Sequence, residues 1–491
     1  MNDQRKRENH FAEFADKMRK AGSSDAAIRA FQHSYNSLIT GHTGMISEST
    51  IQPIAELPRL EEISRGKPPN VELLSQVVVI KLNGGLGTSM GLERAKSLLE
   101  VKNGLTFLDF ILRQILQLRE RNKVPLRFLL MNSFSTSRDT LQFLRKYGEL
   151  GDPALLELRQ NQVPKVDAKT ARPVSWPENP QLEWCPPGHG DLYPSLLGSG
   201  ILKQLLADGV RFLFVSNSDN LGATLDLGLL TYFAESGKPF LMEVAERTLS
   251  DRKGGHLARR DGKLLLRELA QCPESDQGAF QNIERHRFFN TNNLWLRLDA
   301  LKELLDANGG FVPLPPIKNT KTVDPRNKSS PPVFQLETAM GAAIDSFNNA
   351  GAVVVSRRRF APVKTTSDLL ALRSDAYSVT EDWQIVLANG DSPPAIDLDT
   401  HDYKMVDQLD EKLADGIPSL RDCRELIVRG PRRRWAFQPT PLQLAHASIQ
   451  LASGSGVARI LFQTNRFSRM RRDEWGDSEI PRISQSVRHA S

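Results

Sequence analysis

The chain has 491 residues, 40% apolar and 25% charged, proportions of a globular protein of more than one domain rather than a disordered chain. No run of 18 uncharged apolar residues occurs, so no helical membrane span is expected, and the N-terminus MNDQRKRENHFAEFADKMRK lacks the apolar centre of a secretory signal. The net charge of +6 is uneven: residues 421–491 hold 13 Arg, no Lys and six acidic residues, a net of +7, which leaves −1 for the first 420. Cys185, Cys272 and Cys423 lie far apart without metal-ligand spacing and read as reduced thiols, so a cytoplasmic location is expected.

Residues 1–75 open with two helical stretches, Glu8 to Arg19 and Asp25 to Leu38. A Pro-punctuated stretch follows (IQPIAELPRL, RGKPPN), suited to an extended wrap over another domain. A strand-and-loop alternation then begins. QVVVIKL (76–82), PLRFLLM (125–131), VRFLFVS (210–216), PFLMEVA (239–245) and AVVVSRR (352–358) are apolar on both faces, as buried parallel strands are. TFLDFILRQILQLRER (106–121) and GSGILKQLLADG (198–209) have helical character between them. This spacing predicts an α/β fold with a doubly wound, mostly parallel sheet, whose ligands sit beyond the carboxyl ends of the strands. The polar clusters at 83–91, 132–139, 217–220 and 357–366 all fall at such ends. Residues 311–335 are Pro-rich and polar and read as a surface loop, and from about 376 a second, smaller domain begins. The expected domains are therefore 1–75, 76–375 and 376–491.

KLNGGLGTSMGLERAKS (81–97) follows a strand and precedes helix-forming residues. Its glycines allow backbone amides to approach and cradle phosphate oxygens, with Lys96 close behind. Two better-known phosphate loops do not fit. No Gly-Lys-Ser/Thr closes the loop, and its glycines run G-x-G-x-x-x-G rather than G-x-G-x-x-G, which argues against a NAD-dependent oxidoreductase. On spacing alone, a Gly-rich turn between strand and helix remains an alternative.

KLNGGLGTSMG resembles the signature loop of the UTP–glucose-1-phosphate uridylyltransferases, the UDP-glucose pyrophosphorylases. MNSF (131–134), PPGHGD (186–191), SNSDNLGATLD (216–226), KGG (253–255), FNTNNLW (289–295), QLETAMGAAI (335–344) and RFAPVKTTSDLL (359–370) follow in the family's order, covering about residues 30–430. The resemblance implies a Rossmann-like nucleotidyltransferase sheet, a C-terminal domain of left-handed β-helix type, and uridylyl transfer from UTP to glucose 1-phosphate with release of pyrophosphate. The attacking group belongs to the substrate, so the protein needs no Ser or Cys nucleophile. It needs oriented amides, Lys charges and a carboxylate for Mg2+.

Carried over by motif, Leu82, Asn83, Gly84 and Gly85 present backbone to uracil and phosphates, and Lys96 and Lys364 are the catalytic phosphate clamps. Lys96 follows Arg94-Ala95 where many relatives have Gly-Pro. Met131 packs near the uracil or is an ordinary core residue. Gln160 reads the base through its carboxamide, although Gln162 lies close enough to be mistaken for it. Gly188 completes the UTP side. Asp219 is the metal ligand, with turn capping as its alternative. His189 and Asn217 contact substrate, His189 having a purely structural alternative, and Gly255, Glu268, Asn290 and Asn292 form the sugar side.

UDP-sugar or UDP-N-acetylhexosamine pyrophosphorylase activity is the alternative within the same chemistry. Nucleic-acid binding through the basic tail is the alternative outside it, set against the blander reading of a solvated or disordered basic tail. No membrane partner is expected, and oligomerisation is left open. After Arg432 the text departs from the family, as a shifted reading frame would make it. The β-helix-type domain is therefore expected to be incomplete or altered, and divergent or disordered, beyond about 431.

Overall fold

Runs of β-branched and large apolar residues become the middle of a nine-stranded sheet because they can be buried on both faces. The computed structural model describes residues 9–430 apart from 43, 64, 67, 390–392 and 415, together with the backbone of 447–451 and 458–462. In chain order the sheet strands and an intervening hairpin are β1 (Val77–Asn83), β2 (Arg127–Asn132), β3 (Glu157–Arg159), β4 (Phe212–Asn217), β5 (Phe240–Glu246), β6 (His256–Arg260), β7 (Lys263–Arg267), β8 (Phe288–Arg297), the hairpin strands β9 (Pro316–Thr322) and β10 (Pro332–Thr338), and β11 (Gly351–Val354). The sheet order is β7-β6-β8-β4-β1-β2-β3, with β5 paired to β8 and β11. β1 runs parallel to both neighbours, Ile80 facing Leu129 on β2 and Val215 on β4. The sheet is mixed: β8 runs antiparallel to β4 and β5.

One irregularity interrupts the β5–β8 ladder. Glu243 on β5 faces Asn293 on β8, but the next residue, Val244, faces Asn290. Thr291 and Asn292 are looped out of the ladder, and Asn292 takes φ 60°. Such bulges re-aim side chains beside active sites.

The N-terminal helices are α1 (Phe11–Lys20) and α2 (Asp25–Thr40). Ser24 caps α2 by accepting from the Ala27 amide, and Gly41 at φ 72° ends it. Phe14, Met18, Phe31 and Tyr35 form a core of their own against Val163, Val166 and Phe334, and the Tyr35 hydroxyl donates to Ala171 O at 2.8 Å. The Pro-punctuated stretch runs extended along the sheet: Gln52 bridges Arg259, and Val354 N donates to Pro58 O at 2.8 Å.

Three local expectations are corrected. The stretch expected as a loop over 311–335 contains most of the β9–β10 hairpin, in register from Pro316↔Thr338 to Thr322↔Pro332. Each strand begins with Pro, where no ladder donor is required, and β9 is polar from Lys318 onward, which hides its strand character. The helix expected over 198–209 is present but shorter, Ile201–Ala207, and a separate helix, Leu192–Gly198, precedes it, the two parted at Gly200 with φ 78°. The strand expected over 352–358 stops at Val354, and Arg357–Arg359 form a 3-10 turn.

The described residues of 1–87, 93–362 and 380–384 form one compact unit, and those of 88–92, 363–379 and 385–491 form a second. In the second, Ala395–Leu398, Glu425–Val428 and Ala447–Leu451 stack in parallel, with Ala395↔Glu425↔Ser448 in register. One short strand per coil is the expected β-helix-like pattern. Ala458–Phe462 departs from it by pairing antiparallel. The expected divergence or disorder after 431 and the basic tail fall almost wholly outside the described residues. No helix among the described residues is long and apolar enough to cross a membrane.

Trp295 on β8 is fully buried, with its ring 4.5 Å from Phe214 and its Nε1 donating to Glu243 Oε1 at 2.9 Å. Trp295→Ala is expected to cost about 3–5 kcal/mol in denaturant-measured stability, the range for a large aromatic removed from a packed core.

Candidate active site

The carboxyl ends of β1, β2 and β4 are tied together by one buried side chain. Asn83 Nδ2 donates to Asn132 Oδ1 at 2.7 Å and to Thr140 Oγ1 at 3.0 Å, and Asn83 Oδ1 accepts from Ser218 Oγ at 3.3 Å. Ser218 N also donates to Leu82 O at 3.1 Å. The loop that leaves β1 is thereby fixed at its root. Gly84 O accepts from Ser133 Oγ at 2.9 Å. A Cβ on Gly84 would lie 2.9 Å from Gln160 Oε1, whereas one on Gly85 would meet nothing within 4 Å. A side chain at Gly84 would push the Gln160 carboxamide from its place, whereas Gly85 lies open.

Gln160 is held from both ends, its amide donating to Asn132 O and its Nε2 to Gly188 O, each at 2.8 Å. Leu82, Asn83, Gly84, Gln160 and Gly188 are thus brought together. Met131, at the end of β2, is 2% exposed and packs in the sheet core.

His189 follows Gly188. Its Nδ1 accepts from Met340 N at 3.0 Å, so Nε2 carries the proton. Burial pulls its pKa down to about 4. Beside it, Asp191 is pushed up to about 6 by burial, against the hydrogen bonds from Ser195 Oγ and the Asn161 amide.

Lys96 N donates to Gly85 O at 3.0 Å, and Lys96 Nζ pairs with Asp219 Oδ2 at 2.7 Å. Asp219 stands on the turn after β4, two residues beyond Asn217, whose carbonyl accepts from Asn220 N. Asp219 Oδ1 is buried and has no hydrogen-bond partner. No cluster of three or more His, Cys, Asp or Glu among the described residues could hold a metal ion. One carboxylate oxygen with an unused lone pair fits a cation that takes its remaining ligands from phosphates and water, as Mg2+ does.

The residues expected on the sugar side form a second group. A Cβ on Gly255 would stand 2.4 Å from the Glu268 carboxylate, and Gly255 O accepts from Asn290 N at 3.1 Å. In the β8 bulge, Asn290 Nδ2 donates to Asn292 Oδ1 at 2.8 Å and Asn292 N donates back to Asn290 Oδ1 at 2.9 Å. Because Leu294 pairs with Val215, the bulge runs on alongside the end of β4. Lys364 belongs to the second unit. It is exposed, and its amide donates to Asp368 Oδ2 at the start of the helix Thr366–Arg373. Gly91 of the signature loop also belongs to that unit, packed on Met405.

Sequence reasoning missed a buried charge network under the site. Glu243 accepts from Arg359 Nε and Nη2, each at 2.8 Å, from Asn293 Nδ2 at 3.0 Å and from Trp295 Nε1 at 2.9 Å. Lys81 lies beside this network, 3% exposed. The available signal was one charged residue inside each of two apolar strand runs, QVVVIKL and PFLMEVA.

A Rossmann-like sheet with a Gly-rich loop after its central strand, and a Lys–Asp pair at the adjacent strand end, defines a nucleotidyltransferase. The sequence pattern of the UTP–glucose-1-phosphate uridylyltransferase family matches residues 28–433, and the chain belongs to that family. The chain is 40% identical over 389 residues to the enzyme of that name from Solanum tuberosum, covering 78% of this chain and 80% of the relative. To the Saccharomyces cerevisiae enzyme it is 38% identical over 418 residues, 83% of each. A Leishmania major UDP-glucose pyrophosphorylase variant in complex with UDP-glucose superposes with TM-score 0.82 at 48% identity, covering 86% of this chain and 92% of that one. A Trypanosoma brucei structure gives 0.80 at 47%, covering 91% and 97%. Membership of the family implies a divalent-metal requirement.

His189 should stay neutral through the physiological range, its ring NMR signals moving only as pH falls toward about 4. An unfolded His titrates near 6.5. The stability that His189 contributes is therefore full above about pH 6.5 and is lost as pH falls from there toward 4, because the unfolded chain takes up the proton first.

Proposed function

We propose that this chain transfers the uridylyl group of UTP to glucose 1-phosphate, giving UDP-glucose and pyrophosphate. The observation that carries the reading is the meeting of Lys96, Asp219 and the Gly84–Gly85 loop at adjoining parallel strand ends, the geometry needed to hold a nucleoside triphosphate. An oxygen of the sugar phosphate attacks the α-phosphorus in line. The new P–O bond forms as the bond to pyrophosphate breaks, and negative charge moves to the leaving group.

In this reading Leu82, Asn83, Gly84, Gly85 and Gly188 supply the backbone that lines the uracil and phosphates, with Met131 beneath. Gln160 reads the base edge with its carboxamide, its position held by Gly188 O. Lys96 stabilises charge on the phosphates, and Lys364 is the second cation on the resemblance of its motif. Asp219, with Oδ1 unused, would hold Mg2+, which withdraws charge from the phosphates when bound. His189, neutral, contributes an Nε2–H donor rather than fixed charge. Asn217, Gly255, Glu268, Asn290 and Asn292 recognise the hexose hydroxyls. A cytoplasmic setting, suited to three unpaired buried thiols, is part of the proposal.

Pyrophosphate release from UTP tests the reading. Glucose 1-phosphate is expected to be the fastest acceptor, galactose 1-phosphate slower and N-acetylglucosamine 1-phosphate slowest, with activity lost on chelation of divalent metal. Failure with all three acceptors would overturn it. Lys96→Ala and Lys364→Ala should each lower kcat by about 100-fold, the scale of a lost charge-stabilising group, while the circular dichroism spectrum is unchanged. Wild-type turnover in both variants would remove the charge clamps.

A further inference from the structure

We infer that Lys81 is a positioning residue, which clamps the turn carrying Asp219 so that the carboxylate faces the substrate phosphates and their metal. The inference rests on the proposed role of Asp219. Lys81 lies on β1, in register with Ser216 on β4, and its side chain is buried beneath the turn that follows β4. Nζ donates to Ser216 Oγ at 2.8 Å and to Ala223 O at 2.6 Å, one anchor before Asp219 and one after it. The Phe214 ring lies 5.9 Å from the ammonium.

The rest of the turn is held from the opposite side. Arg359 Nη2 donates to Thr224 O at 2.9 Å, so two successive carbonyls, Ala223 and Thr224, are each taken by a buried basic side chain. Asn220 Nδ2 donates to Arg359 O at 3.1 Å, and Ala361 N donates to Asn220 Oδ1 at 3.0 Å. Gly222 packs on the same segment, where a Cβ would stand 2.3 Å from Arg358 O. Arg359 is compensated by Glu243. Without Lys81, Ala223 O and Ser216 Oγ would lose a buried donor, and the turn would be anchored on one side only.

Burial draws the Lys81 amine down to about 7. Arg359 lowers it further, and Glu243 and Asp219 act in the opposite sense. A neutral amine and an ammonium both have donors enough for Ser216 Oγ and Ala223 O, so the clamp holds in either form.

The test is amide hydrogen exchange on the full-length enzyme without metal or nucleotide, comparing wild type with Lys81→Met, which keeps the length of the side chain and removes its donors. Exchange across 217–224 is expected to rise by about tenfold while β2 is unaffected, the signature of a local opening. In the transferase assay, half-saturating Mg2+ should rise by about fivefold with the KM for glucose 1-phosphate within about twofold, and on an Asp219→Asn background Lys81→Met should add almost nothing. Unchanged exchange at 217–224, or effects that add fully to those of Asp219→Asn, overturns the inference. If Asp219→Asn alone leaves the Mg2+ dependence at wild type, the metal role of Asp219 fails, and the exchange result still decides whether Lys81 clamps the turn. Should Lys81→Met not fold, Ser216→Ala removes one anchor. It is expected to raise exchange at 217–224 by about threefold, and no rise overturns the clamp.

Discussion

A carboxylate with no exposed surface sits in the middle of the sheet, and the structure around the site is organised by the need to satisfy it. An unpaired buried charge costs several kcal/mol, so Glu243 requires a partner of opposite charge and donors for its remaining lone pairs. Arg359 supplies both guanidinium contacts, and Asn293 and Trp295 complete the set. These partners come from β8 and from the segment after β11, distant in sequence from Glu243. Satisfying one carboxylate therefore fixes two strands and a loop relative to one another. The same guanidinium reaches Thr224 O, and the Arg359 carbonyl takes the Asn220 side chain, so the constraint passes into the turn that carries Asp219.

The β8 bulge has the same origin. Thr291, looped out of the β5 ladder, donates its hydroxyl to Glu243 O at 2.7 Å, and this replaces a strand bond that the irregular register forfeits. The freed backbone lets Asn290 and Asn292 bond each other side by side at φ 60° for Asn292, a conformation that Asn tolerates better than most residues. The surface proposed for the sugar and the turn proposed for the metal thus hang from opposite sides of one buried carboxylate.

Much of the frame was legible in the sequence, for physical reasons that differ by element. β1, β2, β4 and β5 were readable because a strand buried on both faces must be apolar throughout. The hairpin β9–β10 was not, since a polar strand with Pro at its start has no such signature. Asn83 and Gly84 were visible as part of a Gly-rich loop at a strand end and as members of a resembling motif. Spacing could not say that Asn83 links three strand ends or that Gly84 yields to Gln160. Lys81 and Glu243 were passed over because a lone charge in an apolar run carries no partner in its own sequence neighbourhood. Arg359 lies 116 residues from Glu243. Such pairs emerge only when topology brings the strands together.

The charges at the site divide by function. Arg359 and Glu243 cancel each other in the interior, at 10% and 0% side-chain exposure, which makes them structural. Lys96 and Asp219 also pair, but at 15% and 21% exposure they lie where a ligand can reach them. Bringing a nucleoside triphosphate toward an unpaired aspartate would set like charges against each other in a partly desolvated cleft, where Coulomb energies exceed those in water. Pairing Asp219 with Lys96 removes that repulsion while leaving Oδ1 unused for a cation. In the proposed reaction, one side of the Asp219 carboxylate thus keeps Lys96 close to the phosphates and the other draws in the metal. A turn free to rotate Asp219 away would lose both effects together, which is why its anchoring matters as much as the carboxylate itself.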